Sequence, residues 1–280
     1  MTLSLGAIQM SMSADVNANL DTAERLVREA ASRGARIILI PELFEDVYFC
    51  KDVDAKHLQR ARPVDGHPTV ARFSALSREL GVVLPLSIFE RAGNALFNTV
   101  VMVDADGSQL GTYRKSHIPD GIGYSEKFYF APGDTGFRVW DTAHGRVGLG
   151  ICWDQWFPET ARCLALQGAE LLFYPTAIGS EPILETDSMG HWQRTMQGHA
   201  AANILPVIAV NRYGLEVVAA SPENGGQNSS LNFYGSSFMT DETGAILSQA
   251  TRQNEEILLQ DYDLDKGARE RLDWGLFRDR

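Results

Sequence analysis

Apolar and polar positions alternate between two periods along the chain. Residues 3–10 form a short apolar run that reads as a strand, and from Leu20 the apolar positions Leu20, Ala23, Val27, Ala30 and Ala31 recur at helical spacing up to a stop at Gly34. Arg36-Ile-Ile-Leu-Ile-Pro41 follows, short and apolar enough for a buried strand. A second helix begins at Pro68, carries Val70, Phe73, Leu76 and Leu80 on one side, and ends at Gly81. Residues 81–88 read as a strand, and residues 98–104 and 110–115 flank the turn signal Ala105-Asp-Gly-Ser.

The pattern then repeats. Residues 145–151 read as a strand, 158–167 as a helix closed by Gly168, and 169–175 as the next strand. Gly34-Ala-Arg-Ile-Ile-Leu-Ile-Pro41 and Gly168-Ala-Glu-Leu-Leu-Phe-Tyr-Pro175 place both their glycines and their prolines 134 positions apart. A helix over about 192–203 precedes a strand at 206–211. No Pro/Ser-rich linker interrupts this order. It predicts two similar α/β halves on one core, in a single domain over 1–280.

Composition narrows the function classes. The 280 residues carry a net charge of −11, against the basic patches that nucleic acid and anionic membranes select. No apolar run approaches the ~20 residues of a membrane span. The N-terminus has no basic region followed by a small-residue cleavage site, so a reduced, cytoplasmic compartment is expected. Three cysteines do not make a disulfide framework.

Three polar groups of complementary type each end a strand: Glu42, Lys115 and Cys152. Strand ends of open α/β sheets are where ligands bind. Cys152 lies between a strand and a following helix, where backbone N–H groups receive a developing oxyanion. A carboxylate there can take the thiol proton, and an ammonium can lower the thiol from its free value of ~8.5. Taken one at a time, each has a plainer account: a buried structural cysteine, a surface carboxylate, a solvated lysine.

Together they carry a resemblance. Pro41-Glu42-Leu-Phe, Tyr113-Arg-Lys115-Ser-His117-Ile-Pro119 and Gly150-Ile-Cys152-Trp-Asp154 resemble, in order, the three catalytic signatures of the nitrilase (carbon–nitrogen hydrolase) superfamily. The resemblance implies a four-layer α-β-β-α sandwich with internal pseudo-symmetry, whose subunits pair through the sandwich. It implies Glu42 as general base, Lys115 as oxyanion stabiliser, Cys152 as nucleophile and Glu126 as a second acid, with no cofactor and no metal. Further stretches, among them 42–50, 117–130, 153–159, 177–182 and 196–203, resemble the branch of that superfamily that hydrolyses N-carbamoylputrescine in polyamine biosynthesis. That branch implies a small cationic ureido substrate, a homo-oligomer, and Tyr48, His117, Trp153 and Glu181 as substrate-binding residues. Burying the substrate's ammonium calls for a carboxylate, for which Glu181 is the first candidate and Asp187 the second. Relatives of this branch are expected to run some ten to twenty residues beyond Arg280.

The remaining candidates read as structural. Cys163 falls on an amphipathic helix and is expected in the core, and Cys50 lies just past the Glu42 loop with no assigned task. His191 and His199 make a poor zinc site, and a papain-like pairing of a cysteine with His117 or His144 is unnecessary beside Glu42 and Lys115. Gly225-Gly-Gln-Asn-Ser-Ser230 has no P-loop lysine and reads as a loop. Two rival functions are a relative acting on another carbamoyl or ω-amide substrate and a catalytically silent interaction protein.

Overall fold

Strand β1 (Thr2–Gln9) buries most of its length and feeds α1 (Val16–Ser32), whose first turn is capped by Asp15 accepting from the Ala18 N–H. β2 (Ile37–Leu39), α2 (Pro68–Leu80) and the meander β3 (Leu84–Ala92), β4 (Ala95–Val103), β5 (Gln109–Arg114) complete the first half. A one-turn helix, α3 (Glu126–Tyr129), leads to β6 (Val139–Thr142). The second half then runs β7 (Gly145–Leu149), α4 (Pro158–Leu166), β8 (Leu171–Pro175), α5 (Met189–Asn203) and β9 (Val207–Val210). A hairpin, β10 (Tyr213–Val217) and β11 (Ser230–Tyr234), precedes β12 (Phe238–Thr240), β13 (Ile246–Gln249), β14 (Glu256–Asp263) and α6 (Leu264–Trp274). This is a computed structural model, and it describes residues 2–180, 187–222, 224–226, 228 and 230–280.

The two halves have one topology. β14, β1 and β2 form a sheet that continues into β3, β4 and β5 through the bridge from Ile37 to Val83. The second sheet has the order β6-β7-β8-β9-β12-β13. In both, three parallel strands are followed by two antiparallel ones, and an antiparallel strand closes the other edge.

Leu5, Ile37, Leu39, Val100 and Met102 of the first sheet meet Val147, Leu171, Phe173, Ile208 and Met239 of the second in a core between the sheets. α1 and α2 cover the outer face of the first sheet with Leu20, Ala23, Leu26, Val70 and Phe73. α4 and α5 cover the second with Ala161, Leu164, Trp192, Met196 and Ala200. The layer order is α-β-β-α, as the resemblance implies.

The periodic segments become elements within a few residues of where the pattern puts them. The elements not foreseen are α3, β6, the β10–β11 hairpin, the strands from β12 on, and α6. β13 is four residues with every second side chain buried only in part, too short a signal to stand out. β14 is defined by pairing with β1, from Thr2 with Asp263 to Gln9 with Glu256, a contact between chain ends that no local pattern encodes.

Candidate active site

The strand ends of both sheets converge under a cap of aromatic and aliphatic side chains that includes Leu43, Tyr48, Phe49, Tyr129, Phe130 and Phe233. Glu42 arrives on the turn after β2. Leu43 beside it takes the left-handed conformation, φ 48°, and its N–H donates to Ser87 Oγ at 3.0 Å. Lys115 follows β5 and is fixed by its N–H to Asn98 O at 2.9 Å. Its own carbonyl accepts from the Gly133 N–H at 2.8 Å, and a Cβ on Gly133 would collide with the Arg114 carbonyl oxygen. Glu126 enters from α3, which is tied back by the Ser125 N–H to Cys50 O at 2.8 Å.

Lys115 Nζ lies between the two carboxylates, donating to Glu42 Oε1 at 2.9 Å and to Glu126 Oε1 and Oε2 at 2.9 and 2.7 Å. Asn98 Nδ2 also donates to Glu42 Oε1, at 2.6 Å. Glu42 Oε2 is buried and finds no hydrogen-bond partner among the described residues. One oxygen is therefore held and the other left able to accept a proton.

Cys152 opens a short 3-10 turn, Cys152–Trp156, in the left-handed conformation at φ 43°. Such a backbone costs about 1–3 kcal/mol and persists only where its surroundings enforce it. Asp154 is the enforcer. Its Oδ2 accepts from the Ile151 N–H at 2.9 Å and from Tyr113 OH at 2.7 Å, and its Oδ1 from the His117 N–H at 3.0 Å. The thiol end of one half is thus latched to the lysine strand of the other. The turn leaves its first N–H groups without helical acceptors, the groups that can receive an oxyanion. A Cβ on Gly150 would lie 3.0 Å from both Thr160 and Tyr174, so glycine lets α4 approach the elbow.

The electrostatics set burial and two carboxylates against one ammonium. Burial first, and then the Glu42 charge, push the Cys152 thiol well above the usual range, although Lys115 works the other way. The ammonium does not win, because two carboxylates and an apolar cap outweigh it. This direction favours the neutral thiol, which needs a base. Burial would lower the Lys115 ammonium, but Glu126 and Glu42 hold it well above its ordinary value. Glu126 is pushed up to about 7, by burial despite Lys115 and with help from Glu42. One ammonium cannot neutralise two buried carboxylates, so the cluster favours taking up a proton.

A buried thiol, a carboxylate with a free oxygen and an ammonium clamped by a second carboxylate are the parts of an acyl-transfer site. A family profile described as Carbon-nitrogen hydrolase matches residues 4–270. The chain belongs to the carbon–nitrogen hydrolase family. It is 54% identical over 279 residues to an N-carbamoylputrescine amidase of Solanum tuberosum, covering 99% of this chain and 92% of that one. It is 50% identical to a citrullinase of Francisella tularensis, covering 99% and 95% of the two chains. The crystal structure of a carbon–nitrogen hydrolase from Helicobacter pylori G27 matches with a TM-score of 0.90 at 38% identity, covering 100% of this chain and 96% of that one.

In this carbon–nitrogen hydrolase the four sequence-nominated residues Glu42, Lys115, Glu126 and Cys152 come together. The other nominations fare differently. Tyr48 is at the site, but its hydroxyl donates to Glu126 Oε1 at 2.6 Å, which makes it a holder of that carboxylate. Trp153 follows the nucleophile position and is half-buried, its ring 6.1 Å from Trp156. The His117 ring is engaged by neighbours: Nδ1 lies 2.7 Å from Asp154 Oδ1 and the ring stacks on Phe157 at 3.7 Å. Glu181 lies outside the described residues. Asp187 is already paired with Arg252 at 2.5 Å.

Cys50 is wholly buried and feels burial and then the Glu126 charge, both raising its thiol. Cys163 is only half-buried on α4, not in the core as its helix position implies. The His191 ring lies tilted against Trp156 at 4.8 Å, and His199 Nε2 lies 2.8 Å from Gln155 O, so the two serve separate contacts.

Sequence reasoning missed Asn98, Asp154, Arg212 and Glu216. Asn98 had a signal, a lone amide in the apolar strand Phe97-Asn98-Thr99-Val-Val. Arg212 had one too, ending an apolar strand as Glu42 does.

Proposed function

We propose that this chain hydrolyses N-carbamoylputrescine to putrescine, ammonia and carbon dioxide through a thioester on Cys152, a step of polyamine biosynthesis. The observation that carries the chemistry is the divided Glu42 carboxylate, one oxygen fixed by Lys115 and Asn98 and the other unpartnered. Glu42 takes the Cys152 proton as sulfur attacks the carbamoyl carbon. Lys115 and the Trp153 N–H stabilise the oxyanion, and Glu126 holds Lys115 in place. Glu42 returns its proton to the departing amino group, which leaves as ammonia. Water, losing a proton to Glu42, then cleaves the thioester, and that proton goes back to sulfur. The N-carboxylated amine left behind loses carbon dioxide to give putrescine.

The substrate assignment draws on the relatives, and their split defines the second reading. Both the amidase and the citrullinase act at a ureido group, but citrulline ends in an amino acid and N-carbamoylputrescine in an ammonium alone. The reaction centre described above is suited to either. We assign the anchoring of the ammonium to Glu181, because in the sequence it follows β8, the strand after Cys152, and because Asp187 is taken by Arg252. The unit acts as one domain over 1–280, and we place it in the cytoplasm as a homo-oligomer. No helix among the described residues is long and apolar enough to cross a membrane. Leu272 and Trp274 stand 76% and 71% exposed on α6, apolar surface that a second copy would cover.

The test is ammonia release from a panel of N-carbamoylputrescine, its shorter and longer homologues, citrulline and carbamoyl amino acids. N-carbamoylputrescine should lead the panel in kcat/KM, and Glu181→Gln should raise KM for it while sparing an uncharged ureido analogue. Preference for citrulline would move the function to the second reading with the same reaction centre.

A further inference from the structure

One buried ionic cluster has no part in the steps above. Arg212, wholly buried just past β9, forks into the turn that carries Glu42. Its Nη2 donates to the carbonyl oxygens of Glu42 at 2.8 Å and Leu43 at 3.1 Å. Its Nη1 donates to the Asp46 carbonyl at 3.2 Å and to Glu216 Oε1 at 2.8 Å. Glu216, on β10, accepts at its other oxygen from the Tyr48 N–H at 2.7 Å and from Lys51 Nζ at 3.0 Å. Tyr48 in turn donates from its hydroxyl to Glu126 Oε1 at 2.6 Å. The guanidinium carbon is 5.8 Å from the centre of the Tyr48 ring and 5.3 Å from that of Phe233.

Both carboxylates that grip Lys115 therefore hang from the same pair. Glu42 is held through its own carbonyl, and Glu126 through Tyr48. Three carbonyl oxygens converge on one side of a turn whose Leu43 is in the left-handed region, an arrangement that repels itself unless a multi-donor cation sits among them. The planar fork of arginine meets that demand, whereas a lysine offers a single point charge. A buried guanidinium needs a counter-charge, and Glu216 is the one in contact with it. Burial raises the Glu216 carboxyl, but Arg212 and then Lys51 outweigh it and keep the group ionised.

We propose that Arg212 and Glu216 are positioning residues of the reaction, which align Glu42 and Glu126 on Lys115 without touching the substrate. The proposal rests on the roles given above to Glu42, Lys115 and Glu126. A cluster that merely stapled the fold would lower stability and leave each folded molecule as active as before.

Arg212→Lys and Glu216→Gln separate the two. Three quantities are read: the melting temperature, kcat and KM for ammonia release from N-carbamoylputrescine, and the pH profile of Cys152 alkylation by iodoacetamide, which needs no substrate. kcat per folded molecule should fall by about 10- to 100-fold with KM close to wild type, as displacement of a reacting group by roughly an ångström does. The alkylation profile should shift along the pH axis in both variants. In a Tyr48→Phe background Glu216→Gln should cost less than it does in the wild type, because the route to Glu126 is already cut and only the route to Glu42 through Arg212 is left to lose. A wild-type kcat and an unshifted alkylation profile in the folded variants would overturn the proposal, as would effects of Glu216→Gln and Tyr48→Phe that simply multiply. Should Arg212→Lys not fold, Glu216→Gln, equal in size, decides alone. A wild-type enzyme inert toward every ureido compound would sink the substrate assignment, and the alkylation arm would still judge the positioning.

Discussion

The two sheets share a topology but not their chemistry. In the first, Leu5 and Ala7 pair with Ile37 and Leu39; in the second, Val147 and Leu149 pair with Leu171 and Phe173. Counting outward from these pairs puts Met10 where the second half has Cys152, and Thr176 where the first has Glu42. The residue after β5 is Lys115 and that after β13 is Ala250, and each donates its backbone N–H to a neighbouring segment, Lys115 to Asn98 O on β4 and Ala250 to Ser237 O just before β12. Thr176 is no vestigial carboxylate site. It is buried, with its hydroxyl on Gln155 Oε1 at 3.0 Å. One backbone frame, built twice, thus presents a carboxylate and an ammonium from one copy and a thiol from the other.

Cys152→Ala breaks the comparison most severely. It should abolish turnover at an unchanged fold, because no other group can carry the acyl intermediate. Intact-mass spectra should show substrate-derived label on wild type and none on the variant, and Cys163→Ala should turn over normally. Residual turnover in Cys152→Ala would end the thioester mechanism.

Matched substitutions at the equivalent positions Glu42 and Thr176 come next. Glu42→Gln should lower kcat by about 10²–10⁴, the usual contribution of a positioned base. Thr176→Val should leave kcat within a few-fold and cost about 1 kcal/mol in denaturant unfolding, the usual net worth of one hydrogen bond, because Gln155 Oε1 keeps the Trp192 Nε1–H at 2.8 Å. Comparable losses of activity in the two variants would mean that the halves divide the chemistry less sharply than their sequences do.

The smallest and most diagnostic effect concerns pH. Glu126 is pushed up to about 7, so kcat should fall as pH drops through that value, where the carboxylate protonates and loosens Lys115. Glu126→Gln should lower kcat more than it raises KM and should erase that acid limb. The sign for stability is opposite. From 4.5 to about 7 the folded state holds more protons at this site than the unfolded chain, so this group's contribution falls as pH rises through that window. The difference in melting temperature between wild type and Glu126→Gln, followed across pH, reads that slope directly.

Sequence alone determined what is written locally or in short motifs. The helical spacing of Leu20, Ala23 and Val27, the glycine stops at Gly34 and Gly81, and the echo from Pro41 to Pro175 depend on neighbours in the chain, and the folded elements follow them. Glu42, Lys115 and Cys152 were legible because the three short motifs around them resemble, in order, the signatures of one family, whereas each strand-end position alone has a plainer account. Tertiary structure alone decided which way the thiol titrates, because that balance depends on how deeply burial and two carboxylates surround one ammonium. It also decided the tasks of Tyr48, His117 and Asp154, whose bonds span 78 residues from Tyr48 to Glu126 and 37 from His117 to Asp154. The pairing of β1 with β14 and the seat of Arg212 beneath Glu42, 170 residues away, belong to the same class. Periodicity reports a side chain's own element. It carries no information about a partner brought near only when two halves of the chain close on a common core.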